Sequence, residues 1–333
     1  MKSNYEDSLS SAEMGKLWTT YVGNTLGKCV ISYYLKHVDD KDIKKVLQHA
    51  LELSDTYMKK LKDIFIRENF PIPIGLTDND VNLNAPRLFY DDFYLFYLQY
   101  LAKAGLSIYS AAISIVTRKD VREFFVTGLK ETVQLITDVQ TILKSKGILM
   151  NAPTVPAPQG IDFIHNQRFL NGYVGKVRPL HGLEVAHLYD NINNDITSKA
   201  LILGFNQGAK HAKVKKFLRR GEDINIRHID MLSKKLKENH LPSPTLIDHL
   251  VTTSTTPTFS DKLMMFHKID MFSMKIREYA NGVSLNGRRD IGALYARCMM
   301  DVSLYVEDGA NIMIDHGWME QPPEAVDRDE LSK

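Results

Sequence analysis

The second half of the chain repeats the first. At an offset of 171 residues Glu13 meets Glu184, Leu17 meets Leu188, Lys28 meets Lys199 and Leu61 meets Leu232. The run Ile43-Lys44-Lys45-Val46-Leu47 falls on Val214-Lys215-Lys216-Phe217-Leu218, and Phe70-Pro71-Ile72-Pro73 falls on Leu241-Pro242-Ser243-Pro244. Past that loop the offset becomes 170, and Arg118-Lys119-Asp120-Val121 meets Arg288-Arg289-Asp290-Ile291. Gly147 then meets Gly317 and Pro153 meets Pro323. A nearly constant offset from first helix to last marks a duplicated domain, so both copies should fold alike. The expected organisation is a first domain over 1–150, a Pro/Gly-rich linker over 151–180, and a second domain over 181–333 with an acidic tail.

Each copy has four segments with apolar residues at helical spacing, near 9–37, 40–68, 91–117 and 119–146, and near 181–208, 211–239, 260–286 and 289–316. In the second of these, Ile43, Val46, Leu47, Ala50, Ser54, Tyr57, Met58 and Leu61 fall on one stripe. Ser10 or Ser11 before Glu13 reads as a capping signal, and Gly147 and Gly317 read as helix stops. Turns join helices one to two and three to four. Between helices two and three lie longer stretches rich in Pro, Asn and Thr, 70–90 and 241–259. Short, long, short connections suit a ferritin-like path. The expected fold class is all-α: two tandem ferritin-like four-helix bundles with long helix 2–3 crossovers. The back of helix one is apolar as well, at Val30, Ile31 and Tyr34 and again at Leu201, Ile202 and Phe205. A helix apolar all round is buried all round, which places both first helices at or near the contact between halves.

The repeat also disposes of a tempting misreading. Residues 93–116 carry one charge, Lys103, and are long enough to span a bilayer. Their counterpart, 263–286, carries His267, Lys268, Asp270, Lys275, Arg277 and Glu278, which a bilayer core does not accept cheaply. The apolar copy is expected to be a buried helix. The polar opening MKSNYEDSLSS shows no signal peptide, which points to the cytoplasm. A net charge of +2 calls for neither a nucleic acid nor a membrane surface as partner. Cys29 and Cys298 have no paired spacing and sit on apolar stripes, where cysteine acts as a small hydrophobe. A monomer and a homodimer are both compatible with this composition.

Several stretches resemble a known family. NFPIPIGLTDNDVNLNAPRLF, FSDKLMMFH, YARCMMDVSLYVEDGANIMIDHGW and MEQPPEAVDRDEL are similar to tandem ferritin-like proteins of unknown function from spore-forming bacilli. Single-unit relatives in that family are described as similar to spore-coat proteins. The resemblance implies a helical fold and a setting among other spore or coat proteins, and it implies no catalytic residue set.

Ferritin-like oxidases place a Glu on two helices and a Glu-x-x-His on the other two. Neither copy has a Glu-x-x-His, and in the first copy Glu52, His49 and Asp55 lie off the core stripe. The second copy offers more. Glu184 and His187 begin its first helix, and His228 falls on the core stripe of its second. These three could hold a single metal ion, or Asn225 and His228 could bind a small ligand. The competing reading is a core histidine bonded to Asn225 or to a carbonyl. His267 beside Met264, Met271 and Met274 could hold copper, although methionines at this spacing usually pack. No cofactor is otherwise expected. Lys210, Lys213, Lys215, Lys216, Arg219 and Arg220 read as a solvated face, with the acidic tail as their internal partner. A phosphate-binding glycine loop, a serine elbow and zinc spacing are all missing from the sequence, which lowers the expectation of an enzyme. Finally, Lys28 and Lys199 border the core stripe of helix one, and Glu131 and Asp301 border that of helix four. The expectation is a structural ion pair in each copy, Lys28 with Glu131 and Lys199 with Asp301.

Overall fold

The computed structural model describes residues 8–332; the first seven residues of the polar opening stretch lie outside them. The described residues form eight long helices: α1 (Ser11–His37), α2 (Lys41–Arg67), α3 (Asp91–Ile115), α4 (Lys119–Ser145), α5 (Gly182–Gly208), α6 (Ala212–Lys237), α7 (Asp261–Leu285) and α8 (Arg289–Asp315). Among them no helix is long and apolar enough to cross a membrane. The fold is all-helical, in two four-helix sets. By contacts the chain divides into two units. One comprises residues 8–83, 97–142 and 317–332; the other comprises 84–96 and 143–316.

In the first unit Ser10 caps α1 through a reciprocal box with Glu13. The core draws on all four helices: Leu17 and Tyr21 from α1, Tyr57, Leu61 and Phe65 from α2, Tyr109 and Ala112 from α3, and Val121, Phe124 and Phe125 from α4. Thr25, Ser54 and Leu135 are buried beside them. The connection from α2 to α3 runs back along α1, where the Leu76 amide donates to Thr25 Oγ1 at 3.0 Å and Cys29 Sγ donates to the Thr77 carbonyl at 3.4 Å. Gly75 enters that contact at φ +64°, pressed against Thr25, where a side chain would clash as well as strain the backbone.

In the second unit α5 packs against α6 and α7, and α8 packs against the same two, so α5 and α8 stand diagonally across the bundle. The ends of the helices fix their directions. Asp261, at the start of α7, accepts from the amides of Lys210 and His211 in the α5–α6 turn. Glu184, at the start of α5, accepts from the amides of Gly287 and Arg288 in the α7–α8 turn. Adjacent helices are therefore antiparallel. The connection from α6 to α7 again follows the first helix of its set, as Gln207 donates to the carbonyls of Thr252 and Ser254. An isolated antiparallel β-bridge joins Phe89 to Val251. Beyond it the described residues contain no strand.

Tyr34 and Phe205 are fully buried, as expected for the back of helix one. Tyr34 packs edge-on against Tyr97, and Phe205 against Phe259 and His267. Gly147 and Gly317 take up left-handed conformations just past α4 and α8.

Candidate functional site

The centre of the second bundle is polar. Its side chains share faces because of helical spacing. Lys268, Lys275 and Tyr279 stand seven and four residues apart along α7, Asp195 and Ser198 three apart on α5, and Asn225 and His228 three apart on α6. Asp195 and Lys275 form an ion pair of 2.6 Å, each side chain 1% exposed. Lys275 also donates to Asn225 Oδ1, and its ammonium lies 4.2 Å above the Phe272 ring. Asn225 Nδ2 donates to Ser198 Oγ at 3.2 Å, and Lys268 Nζ donates to the same oxygen at 2.9 Å. Lys268 is fully buried without a carboxylate of its own. Burial, reinforced by the Lys275 charge, pulls its pKa well below the ordinary lysine value.

The network reaches the surface through α6. Tyr279 Oη lies 3.0 and 3.1 Å from the two Asp195 oxygens and 2.9 Å from His228 Nδ1. His228 Nε2 lies 3.3 Å from Asp301 Oδ2, which Arg227 also approaches at 3.4 Å. The Asp301 side chain is 27% exposed. Tyr279 has a single hydroxyl hydrogen for two acceptors. When it donates to Asp195, His228 can donate from Nδ1 to the tyrosine oxygen; when it donates to His228, Nε2–H can donate to Asp301. Burial lowers the His228 pKa, opposed by the Asp195 and Asp301 charges and aided by that of Lys275.

The structure places the residues singled out from sequence as follows. Asn225 and His228 belong to this network. Glu184 and His187 do not. Glu184 ties the bundle end, held by both guanidinium nitrogens of Arg178 at 2.8 Å and by the amides of His181, Gly287 and Arg288. Glu13 does the same in the first copy, accepting from the amides of Thr117 and Arg118. His228 lies nine residues inside the C-terminal end of α6, about 13 Å along the axis, so it cannot share a ligand with Glu184. His187 sits on a partly exposed face of α5. Among the described residues no three His, Cys, Asp or Glu side chains are placed to hold a metal ion. His267 packs against Phe205, and the Met271 sulfur accepts from Lys268 at 3.0 Å.

Both expected ion pairs are corrected. Lys28 pairs with Asp55 on the neighbouring α2 at 2.8 Å, and Glu131 faces solvent. Lys199 pairs with Asp248 in the crossover, because the counterpart of Asp55 is Ile226. Asp301 is taken by Arg227 and His228. The expectation assumed that the first and fourth helices touch, whereas α5 and α8 are diagonal. The acidic tail is corrected too: Glu320 accepts from the Gly75 amide at 2.7 Å, while Lys213 and Arg220 pair with Asp315 and Asp308.

Sequence reasoning missed Asp195, Ser198, Lys268, Lys275 and Tyr279 as a site. The signal was present in the repeat, since Lys268 and Lys275 replace Leu98 and Gly105 on a helix otherwise expected to be buried.

Fold and site together define a tandem helical-bundle protein with a largely buried polar network in one of its two centres. The chain belongs to the family described as "Protein of unknown function (DUF3231)", whose model matches residues 2–161 and again 168–331. A candidate spore coat protein from Bacillus halodurans C-125, known from a crystal structure, is similar over 45% of this chain and 98% of its own, at 13% identity and a TM-score of 0.43. None of the curated proteins compared with the chain matches it.

Proposed function

We propose that the chain works without catalysis, as a structural or interaction-forming helical-bundle protein, and that it does so in the spore, as its sequence resemblance implies. The observation that supports this reading most is that the central acids and imidazole engage one another. Asp195 is taken by Lys275 and Tyr279, Asp301 by Arg227, and His228 by Tyr279 and Asp301. Catalytic groups must face a substrate, and metal ligands must converge on a shared point. In the first bundle the corresponding level is filled by Tyr57, Tyr109 and Phe125.

Metal analysis of purified full-length protein tests the reading. The expected result is far less than one metal ion per chain after dialysis. Stoichiometric iron, manganese, zinc or copper would overturn it and favour the second reading, a metal or small-ligand site around Asn225 and His228. What supports that alternative is the partly exposed Asp301, through which a ligand could reach His228. For the setting, a fluorescent fusion followed through sporulation of a bacillus is expected to localise to the forespore or coat; an even cytoplasmic distribution throughout would count against it.

A further inference from the structure

The outward face of α8 is apolar where its counterpart is polar. Met300 is 66% exposed and Leu304 52%. Ala293 and Ala296 before them extend the stripe at helical steps; after Leu304 the face turns polar at Glu307, Asp308 and Asn311 before the exposed Ile314. The repeat shows what an ordinary outer face looks like at these positions. On α4 they are Glu123, Val126, Lys130, Gln134 and Lys144. Met300 thus replaces a lysine, Leu304 a glutamine and Ile314 a lysine. Beside the stripe, Arg297 and Glu307 are exposed and make no ion pair among the described residues.

We propose that this face binds the same face of a second copy of the chain, α8 against α8, antiparallel about a two-fold axis beside Val302. In such a pair each residue meets the one equally far beyond the axis. Met300 stands two residues before Val302 and Leu304 two after, so each Met300 meets Leu304 of the second copy. Arg297 stands five before and Glu307 five after, so each unpaired guanidinium meets an unpaired carboxylate. Arg289 and Asp315, thirteen residues to either side, repeat the same order of charge, with Asp315 also held by Lys213 of its own chain. A parallel pairing would set Arg297 against Arg297 and Glu307 against Glu307. The charge order therefore selects the antiparallel arrangement. The proposal rests on the interaction-forming reading only in giving that role a surface. Metal analysis bears on that reading, and association state bears on this one.

A single helix pair is a small interface, so weak association is expected. The test is sedimentation velocity on the full-length protein from about 1 to about 200 µM, a range that brackets micromolar affinity. The weight-average mass should rise from 38.0 kDa toward twice that value. Leu304→Glu should weaken association at least about tenfold, equivalent to about 1.4 kcal/mol, while circular dichroism and Tm stay unchanged because the site is exposed. Arg297→Glu and Glu307→Arg should each weaken it, and the double variant should restore it. A monomer at every concentration would overturn the proposal. So would a dimer indifferent to Leu304→Glu, or a double variant no tighter than the two singles.

Discussion

Where the second bundle holds Asp195, Ser198, Asn225, His228, Lys268, Lys275 and Asp301, the repeat places Asn24, Gly27, Ser54, Tyr57, Leu98, Gly105 and Glu131 in the first. Tyr109 and Tyr279 are the shared element. In the first bundle Tyr109 packs edge-on to Tyr57 and lies over Gly105 and Gly128, whose missing side chains make room for its ring. In the second, Tyr279 keeps the edge-on partner at the same place, now His228, but its hydroxyl turns into an ionic network. The helices, the crossover along the first helix and the Glu13/Glu184 end ties persist through this exchange. The backbone path therefore does not depend on the chemistry of the bundle centre. Buried charge is a poor way to gain stability, because desolvation offsets much of the attraction. The network is better understood as a property added to one copy of a fold that an aromatic core already suffices to hold.

The sharpest way to break the comparison is to remove the same position from each copy. Asp195→Ala leaves Lys275 buried with only Asn225 and the Phe272 face for company, and stability should fall by about 3–5 kcal/mol. Asn24→Ala removes an amide bonded to the Thr20 carbonyl of its own helix and to the Tyr109 hydroxyl, and should cost about 1–2 kcal/mol. Urea unfolding measured by tyrosine fluorescence and circular dichroism gives both values. Pairing Asp195→Asn with Lys275→Met should recover most of the loss, since the uncompensated charge is then gone. Equal losses at positions 24 and 195 would mean that the two centres do not differ energetically.

Converting a network residue to its first-copy counterpart sharpens the comparison further. Lys268→Leu installs the residue found at Leu98, which is fully buried. Ser198 Oγ keeps its bond from Asn225, so no polar group is orphaned. The expected result is a gain of roughly 1–3 kcal/mol at pH 7, read as a raised Tm by calorimetry. A loss of more than about 1 kcal/mol would instead show that the amine's bonds to Ser198 outweigh its burial.

The two centres were not equally legible in the sequence. The duplication, the helix ends and the crossovers could be read from the offset, the stripes and the prolines, because each is a local or periodic signal. The capping box at Ser10 and Glu13 was legible for the same reason. The network was not, since it depends on which helices are neighbours. Asp195 lies in a stretch of α5 buried on all sides, where no stripe distinguishes inward from outward. The placing of Lys199 opposite Asp301 failed on the same ground, since α5 and α8 proved to be diagonal. Asn225 and His228 were found because α6 has a single clear stripe, so a polar residue on it stood out.

Acid should separate the copies. Burial lowers the pKa of His228 from its ordinary 6.5, and burial with the Lys268 charge lowers that of His267 to about 3. His228 is faced by Asp195 from α5, Lys275 and Tyr279 from α7, Asp301 from α8 and Arg227 from its own helix. Below pH 6.5 the unfolded chain takes up protons on these histidines that the folded bundle resists, so their contribution, present above that pH, is lost as pH falls. In the first bundle the corresponding loss starts lower. Burial raises the pKa of Glu13, but bonds from the backbone amides of Arg118 and Ser10 outweigh it and bring the value from 4.5 to about 2. Hydrogen exchange, corrected for intrinsic rates, should show α6 and α7 losing protection between pH 6.5 and about 5 while α1 and α2 hold to about 4.5. His228→Tyr, the residue found at Tyr57, should narrow the gap. Simultaneous loss in both sets below pH 4.5 would remove the histidines from the account.

The smallest expected effect concerns the lysines that the repeat aligns on the first helix of each copy. Lys28 and Asp55 are 41% and 49% exposed, and an ion pair so well solvated contributes at most about 0.5 kcal/mol. Lys199 is only 10% exposed and Asp248 34%. Screening is weaker there, and removal of the lysine leaves a half-covered carboxylate beside Glu222, whose own pKa is raised by burial and by neighbouring carboxylates. Lys28→Met should therefore change stability by less than about 0.5 kcal/mol, and Lys199→Met should cost about 1 kcal/mol. Salt distinguishes the two further. Raising ionic strength from about 0.05 to about 0.5 M should erase the Lys28 effect and leave most of the Lys199 effect, because screening reaches exposed charges first. Equal responses to salt would mean that Asp248 is as well solvated as Asp55. The polar character of the second copy would then be confined to its centre and not extend to the crossover that follows α5.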